Sequence, residues 1–405
     1  VAARAVAINK GSDVSSASAM MMTDPASLQR RPRVLQVITK LDLGGAESVA
    51  IDLIGALHRE VDFGVFGVFA LSEQTQVGRD MAARLRDWRV PFWDGASGNF
   101  KKGGALVAAW KLARAVKAFR ADLVHLHTEV PELTYALAIL LSPGLRRVGV
   151  LRTVHNCELW IAWGRIGGWV TQRLSHGHAI AVSQAAADAD CAIPTRTTRT
   201  RPTVIYNGVG APSTSTVTTR APSPVRLLFA ARLVPAKGSD LLPAILAAAH
   251  AGTTRRDVEV TIAGTGPQEA ELRRDLRGIA PGWTVRMVPP IEQLRQRLGE
   301  WDVVLMPSRF EGLGLLAIEA FMAGVPLATT TAPGLAEVLP PDYPYNAPVD
   351  DAHALGGIVA RLIDDPAAAR EVVAPLRQDM MTRFSPEEMV QGYRQAYVEL
   401  AGGGA

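Results

Sequence analysis

The chain has 405 residues, 48% of them hydrophobic and 20% charged, with a formal net charge of +4 at pH 7. That length exceeds what one hydrophobic core usually supports and points to two domains in an ordinary globular protein. Two cysteines, Cys157 and Cys191, exclude a disulfide framework and a cysteine metal site and favour a reducing, cytoplasmic setting. The longest apolar run, 133–141, is nine residues and too short to span a bilayer.

Residues 1–32 mix Ala, Ser and Met with scattered charge and lack a signal-peptide pattern, so they read as a disordered leader. From Arg33 short apolar runs alternate with helical segments, which is the signature of a parallel sheet wrapped by helices. Strands are predicted at 34–39, 61–71, 90–93, 123–127, 147–154, 179–182 and 204–206, with helices starting at Ala46 and spanning 105–120. Residues 33–208 thus form a first domain ending at Asn207-Gly208, and 209–225, rich in Pro, Ser and Thr, read as a linker. The rhythm then restarts over 226–384, with strands at 226–231, 258–263, 284–288 and 303–306 and helices from Ser239, Gln268 and Gly314. A last helix is predicted at 387–400, within a closing segment 385–400. The expected fold class is α/β, two doubly wound Rossmann-like domains facing across a cleft.

Charge is divided unevenly. Residues 31–206 carry 22 Lys and Arg against 15 Asp and Glu, whereas 207–405 carry 18 against 22. A basic first half favours an anionic partner there, a phosphate-bearing acceptor or an anionic membrane surface, with a solvated surface as the plain alternative.

Four loops at strand ends carry chemistry, because ligands in open α/β sheets bind outside the carboxyl ends of the strands. Arg232 and Lys237 lie five residues apart on a strand-to-helix turn, where two cations are unfavourable unless an anion sits between them. Gly264 and Gly266 form a tight turn after the next strand. Without a third glycine this is a close backbone approach to a ligand rather than a dinucleotide fingerprint. Glu311 stands in the loop after strand 303–306, and Glu319 lies in the helix that begins near Gly314. Gly44 and Gly45 open the first helix and free its N–H groups for an oxygen-rich ligand, or simply make a turn. His125 and His127 point to one face of a strand. His127, at the strand end, is the functional candidate and His125 the packed one, while His155 is either part of an acceptor pocket or a structural cap. No third ligand has metal spacing.

Gly44-Gly45-Ala46-Glu47, Asp122 with His125-Leu126-His127, Asn207-Gly208-Val209, Arg232 with Lys237-Gly238, Gly264-Thr265-Gly266-Pro267 and Pro307-Ser308 with Glu311 and Glu319 occur in the order seen in glycosyltransferase family 4. Over about residues 33–400 the chain resembles that family, whose members are retaining enzymes of the GT-B fold. The resemblance implies a C-terminal helix that returns to the N-terminal acceptor domain and a second domain that binds a nucleotide sugar. It implies that Arg232 and Lys237 neutralise the donor diphosphate and that Glu319 accepts from the ribose hydroxyls. Glu311 would contact the donor sugar, with the N–H groups of Leu313, Gly314 and Leu315 near sugar or phosphate oxygens. His127 would face the reacting sugar, and Gly44 and Gly45 the phosphate or acceptor. No metal or other cofactor is implied. The expected partners are a UDP- or GDP-sugar and a saccharide or lipid-linked acceptor, as in exopolysaccharide, capsule, lipopolysaccharide or glycolipid synthesis, and no nucleic acid. Leu313 departs from the family's usual Phe, and Pro333 removes a backbone donor where a Gly-Gly pair often stands.

Two other activities fit parts of the pattern. A glycoside hydrolase would use Glu311 and Glu319 as its carboxylate pair but leave Arg232 and Lys237 idle. A non-catalytic nucleotide-sugar-binding protein would need the same cleft. Asp188-Ala189-Asp190 resembles a metal-holding acid pair, but it falls in an Ala-rich helix after Ser183 and reads as a solvated face. The basic helix 105–120, with Lys111, Arg114, Lys117, Arg120 and Trp110, and the nearby Trp160, Trp163 and Trp169 could dock on an anionic bilayer, making the chain peripheral on the inner membrane face; amphipathic packing explains the helix equally well.

Overall fold

A computed structural model describes residues 30–402 except 43, 71–74, 97–99, 162, 197 and 212–223. Most of the expected leader, and the middle of the linker, therefore lie outside the described residues. The first domain's contacts begin before Arg33: the Arg30 guanidinium pairs with Asp122 at 2.6 Å.

Among the described residues seven parallel strands make the first sheet: β1 (Arg33–Ile38), β2 (Asp62–Phe69), β3 (Phe92–Ala96), β4 (Leu123–His127), β5 (Gly149–Val154), β6 (His178–Ala181) and β7 (Thr203–Val204). Their order is β3-β2-β1-β4-β5-β6-β7. The second sheet has six, in the order β10-β9-β8-β11-β12-β13. These are β8 (Val225–Ala230), β9 (Val258–Ala263), β10 (Thr284–Val288), β11 (Val303–Met306), β12 (Leu327–Thr330) and β13 (Asn346–Ala347). In both sheets the order reverses beside the first strand, so β1 with β4 and β8 with β11 leave a crevice at their carboxyl ends, where the candidate loops lie.

Two predicted boundaries shift for local reasons. The third strand starts at Phe92, because Pro91 cannot donate to a ladder. Residues Pro143–Arg147 make a 3-10 turn, so β5 begins only at Gly149. Strands β12 and β13 were not predicted; they have four and two residues, too few to show alternation.

Helices cover both faces of each sheet. Gly45–Leu57 and Gln76–Asp87 lie on one side of the first sheet, and Gly104–Phe119, Glu129–Leu141 and Arg165–Arg173 on the other. The last helix, Pro386–Gly402, crosses back to the first domain. Met389, Tyr393 and Tyr397 are buried there against Val34, Phe63 and Leu151, and Arg394 pairs with Glu60 at 2.8 Å. The domains meet along a continuous apolar seam in which Val154, Val182 and Ala187 pack with Leu313, Ala317 and Phe321. Burial of this kind, at about 25 cal/mol per Å2, holds the two halves of the chain against each other.

The Asp188-Ala189-Asp190 expectation is half corrected. The segment is helical, Gln184–Cys191, and Asp188 is exposed, but Asp190 is fully buried. It accepts from Arg152 at 2.7 Å and from Arg199 at 2.6 Å. Trp160 is also buried, so it does not belong to an exposed aromatic cluster.

Candidate active site

The second-domain wall is built from three loops pressed together. The loop after β8 carries Arg232 and Lys237, and the turn after β9 runs directly beneath it. A Cβ on Gly264 would lie 1.9 Å from the carbonyl oxygen of Ala231, and one on Gly266 2.3 Å from that of Leu233. The glycines are thus required by backbone-to-backbone contact, whatever else the turn touches. Arg232 is exposed and makes no ion pair among the described residues. Lys237 reaches the loop after β11: its Nζ donates to Glu311 Oε2 at 2.6 Å, and Ser308 Oγ donates to Glu311 Oε1 at 2.7 Å. Glu311 is buried with both oxygens engaged.

The helix Leu315–Met322 starts at Gly314, whose φ of 79° sets its first turn. Leu313 is buried in the core, so only its backbone can face a ligand. Glu319 is partly buried and its carboxylate makes no hydrogen bond among the described residues. Burial pushes its pKa up to about 7, opposed by the charge of Arg295. Such a group gains from hydroxyl donors.

The first-domain wall stands close by. Gly45, the first residue of helix Gly45–Leu57, faces Leu315, the first of its helix; a Cβ on Gly45 would lie 3.9 Å from Leu315 Cδ1. Two helix N-termini, each the positive end of its dipole, therefore meet across the cleft. Glu47 folds back over Gly44, where a Cβ would lie 2.2 Å from Glu47 Oε2, and burial raises its pKa. At the other end of the cleft Gly312 touches the residue that follows β5: a Cβ on it would fall 2.0 Å from the carbonyl oxygen of His155, so any side chain would push the walls apart. Cys157 Sγ donates to the carbonyl of Glu311 at 3.0 Å. Glu337 spans the seam as well, accepting from the amides of Gln184 at 2.8 Å and Ala185 at 2.7 Å.

His127 and His155 lie side by side. His127 is 1% exposed, and its Nδ1 is 2.9 Å from His155 Nε2 and its Nε2 2.7 Å from Gln36 Oε1. Burial first, then the neighbouring His125 and His155, holds His127 well below the usual imidazole range. His155 is only partly buried and is lowered to about 3 by burial. The imidazole next to the cleft is therefore His155, with His127 behind it. His125 is buried as expected, bonded to Tyr397 and Thr153. Beside His155 a narrow recess is lined by Glu129, Glu132, Arg152, Asn156 and Trp160. Arg152 is fixed between Glu132 at 3.0 Å and Asp190. Burial raises Glu132 to about 7 even with Arg152 beside it.

The structure therefore brings Lys237, Glu311, Gly312 and His155 to one place, with Gly44, Gly45 and Leu315 at the mouth. Sequence reasoning gave no role to Ser308 or Glu337 and missed Gln36, Tyr393 and Tyr397. Gln36 carried a signal, being the lone polar residue inside Arg33–Ile38; Tyr393 and Tyr397, four apart on a helix, signalled a shared face.

Sequence profiles match both halves: Glycosyltransferase Family 4 over residues 43–211 and Glycosyl transferases group 1 over 224–365. A glycogen synthase of Mycobacterium tuberculosis is 29% identical over 302 residues, covering 70% of each chain. A GDP-mannose-dependent monoacylated alpha-(1-6)-phosphatidylinositol monomannoside mannosyltransferase of Corynebacterium glutamicum is 30% identical over 171 residues, 39% of this chain and 43% of its own. Among solved structures, Anabaena HepE in complex with UDP and glucose superposes with a TM-score of 0.73 at 18% identity, over 91% of this chain and 100% of that one. Sucrose-phosphate synthase of Thermosynechococcus elongatus gives 0.67 at 19% identity, over 92% and 100%. The two facing Rossmann-like domains, the returning last helix and the profile matches over both halves together make the chain a glycosyltransferase of family 4 with the GT-B fold.

Proposed function

We propose that the chain moves a hexosyl unit from a nucleoside diphosphate sugar to an acceptor hydroxyl with retention of anomeric configuration. The observation that carries this reading is the Lys237–Glu311 pair, together with an Arg232 and a Glu319 that make no ion pair among the described residues. A diphosphate entering the cleft gives Arg232 its missing anion and draws Lys237 from Glu311. It meets the N-terminus of Leu315–Met322, whose free N–H groups favour negative charge. Charge developing on the leaving diphosphate is then stabilised by groups already in position. The ribose hydroxyls satisfy the Glu319 carboxylate, and Glu311, still oriented by Ser308, accepts from the donor sugar. With two cations and a helix N-terminus on the phosphates, the reaction needs no metal or other cofactor in this proposal.

The donor base is a uracil or a guanine; the HepE structure holds UDP, and the Corynebacterium relative is named as GDP-mannose-dependent. The acceptor, a saccharide or a lipid-linked glycan, enters from the first domain past Gly44, Gly45 and the recess beside His155, in polysaccharide or glycolipid synthesis. Peripheral contact with an anionic membrane belongs to the same proposal. Among the described residues no helix is long and apolar enough to cross a bilayer. Leu106, Val107, Trp110, Leu140, Leu141, Ile166 and Trp169 are nonetheless exposed on the helices of one layer of the basic domain. Arg114 stacks on Trp110 at 4.8 Å. Flotation with anionic vesicles at low salt is expected and should fade at high salt; no flotation at low salt removes the membrane from the account. The transfer itself is tested by a donor panel with crude lipid and saccharide acceptors, read by mass spectrometry, and by NMR of the product anomer. An inverted anomer, or activity on free glycan alone, contradicts the reading.

A further inference from the structure

Behind His155 runs a single chain of hydrogen bonds through the first domain into the last helix. His155 Nε2 is 2.9 Å from His127 Nδ1, and His127 Nε2 is 2.7 Å from Gln36 Oε1. Gln36 Nε2 donates to Tyr397 OH at 2.8 Å, and Tyr397 OH is 2.9 Å from His125 Nδ1. His125 Nε2 is 2.7 Å from Thr153 Oγ1, which is 3.0 Å from Tyr393 OH. Gln36, His125, Thr153, Tyr393 and Tyr397 are 0% exposed and His127 1%. Apolar side chains would fill this space at lower desolvation cost, yet three strands and the crossing helix each contribute a polar group. The chain leaves the core at His155, whose carbonyl abuts Gly312 of the donor loop.

The chain has a direction. With the Gln36 amide turned so that Nε2 donates to Tyr397, Oε1 faces His127 and can only accept, so Nε2 of His127 carries its proton and Nδ1 is a lone pair. His155 must then donate from Nε2, which leaves its Nδ1 an acceptor; that atom makes no hydrogen bond among the described residues. At the far end Tyr397 OH accepts from Gln36 Nε2 and is left to donate to His125 Nδ1, so the whole chain follows the orientation of the Gln36 amide; turning that amide over would reverse every bond and move the His155 proton to Nδ1.

We infer that Gln36 and Tyr397 are positioning residues that fix His155 with an unprotonated Nδ1 facing the cleft, as the acceptor for a substrate hydroxyl. The returning helix is thereby part of the active site's wiring as well as of its packing. The substrate part rests on the transfer reaction proposed above; the tautomer part does not.

Two measurements test it. In histidine-labelled wild-type protein, long-range proton–nitrogen NMR, with His155 assigned through His155→Gln, should show Nδ1 unprotonated and Nε2 protonated at both His127 and His155. A protonated Nδ1 at His155 overturns the inference, with no substrate or activity involved. In the second, Tyr397→Phe removes one oxygen and keeps the ring. It should lower kcat about tenfold, leave donor KM within about twofold, and mix the His155 tautomers. The control is Tyr135→Phe, a fully buried tyrosine of the same domain whose hydroxyl bonds Leu145 instead; it should lose stability but keep kcat. Equal kcat in the two variants with an unchanged His155 signature overturns the inference. Should Tyr397→Phe not fold, Gln36→Met and the wild-type spectrum decide. If the wild-type chain turns over no nucleoside diphosphate sugar, the proposed function fails while the spectrum still decides the wiring.

Discussion

Lys237 Nζ lies 2.6 Å from Glu311 Oε2, so a cation expected on a phosphate is held by the carboxylate expected on the sugar. The pair keeps both groups in place before a donor arrives. In the proposed reaction, donor binding would exchange one anion for another at Lys237 and leave Glu311 to the sugar. Lys237→Ala should therefore cost turnover twice, through the lost diphosphate contact and through a buried Glu311 left without its cation. The expected fall in kcat is about 10²- to 10³-fold, as for removal of one donor to a developing anion. Steady-state kinetics at saturating donor measures it.

In the proposed account Glu319 links donor binding to stability. Its folded pKa of about 7 exceeds the ordinary 4.5, so between those values the folded state holds more protons than the unfolded one. Stability is lost as pH rises through that window, and the loss is complete above it. Glu319→Gln should remove the loss, stabilising the donor-free protein at pH 8 by about 1–2 kcal/mol once solvent screening is allowed for, and should weaken donor binding. Thermal denaturation at pH 4.5 and pH 8 compares the two chains; a gap that does not widen with pH counts against the unpartnered carboxylate.

Glu337 makes polar contacts across the domain seam. Its carboxylate takes the first two amides of Gln184–Cys191, while Arg383 donates to its carbonyl at 2.8 Å. Glu337→Ala should cost about 1–2 kcal/mol, as does the loss of a helix cap. It should also raise the radius of gyration in small-angle scattering by favouring an opened cleft, with a higher donor KM. An unchanged scattering curve assigns Glu337 to local capping alone.

Arg152 is the most exacting buried charge, set between Glu132 and Asp190 with all three at or below 5% side-chain exposure. Arg152→Met should destabilise the fold by about 3–5 kcal/mol, because it strips the cation from two buried acids. Chemical denaturation reads the loss directly. Since Arg199 still holds Asp190, Glu132 is the acid expected to take up a proton in the variant.

Much of this architecture was legible in the sequence. Strands β4, β9, β10 and β11 fall where predicted; β11 is the continuous buried apolar run ended by a proline, whereas β9 and the edge strand β10 mix apolar with polar residues between turn signals. The family's loops were legible because glycine, proline and paired charges mark strand ends. What stayed hidden depends on distances along the fold. Gln36 and Tyr397 are 361 residues apart in sequence, and neither residue type alone announces a partner. Asp190 looked solvated because its partner Arg152 sits on another element, and an Ala-rich helix hides which face is inward. The relation of His155 to His127 was closed to pattern reading, since which imidazole reaches the cleft is decided by the depth of β4 against β5.

The central claim is a nucleoside diphosphate sugar held by Arg232 and Lys237 and turned over in this cleft. Its most direct test is release of nucleoside diphosphate from a panel of UDP- and GDP-sugars, with acceptor extract and EDTA present, by the wild-type chain and by Lys237→Ala. The account predicts release from at least one donor by the wild type, indifferent to EDTA, and near-complete loss in the variant. Near-wild-type release by Lys237→Ala, or a glycan product formed without any nucleotide sugar, would contradict it.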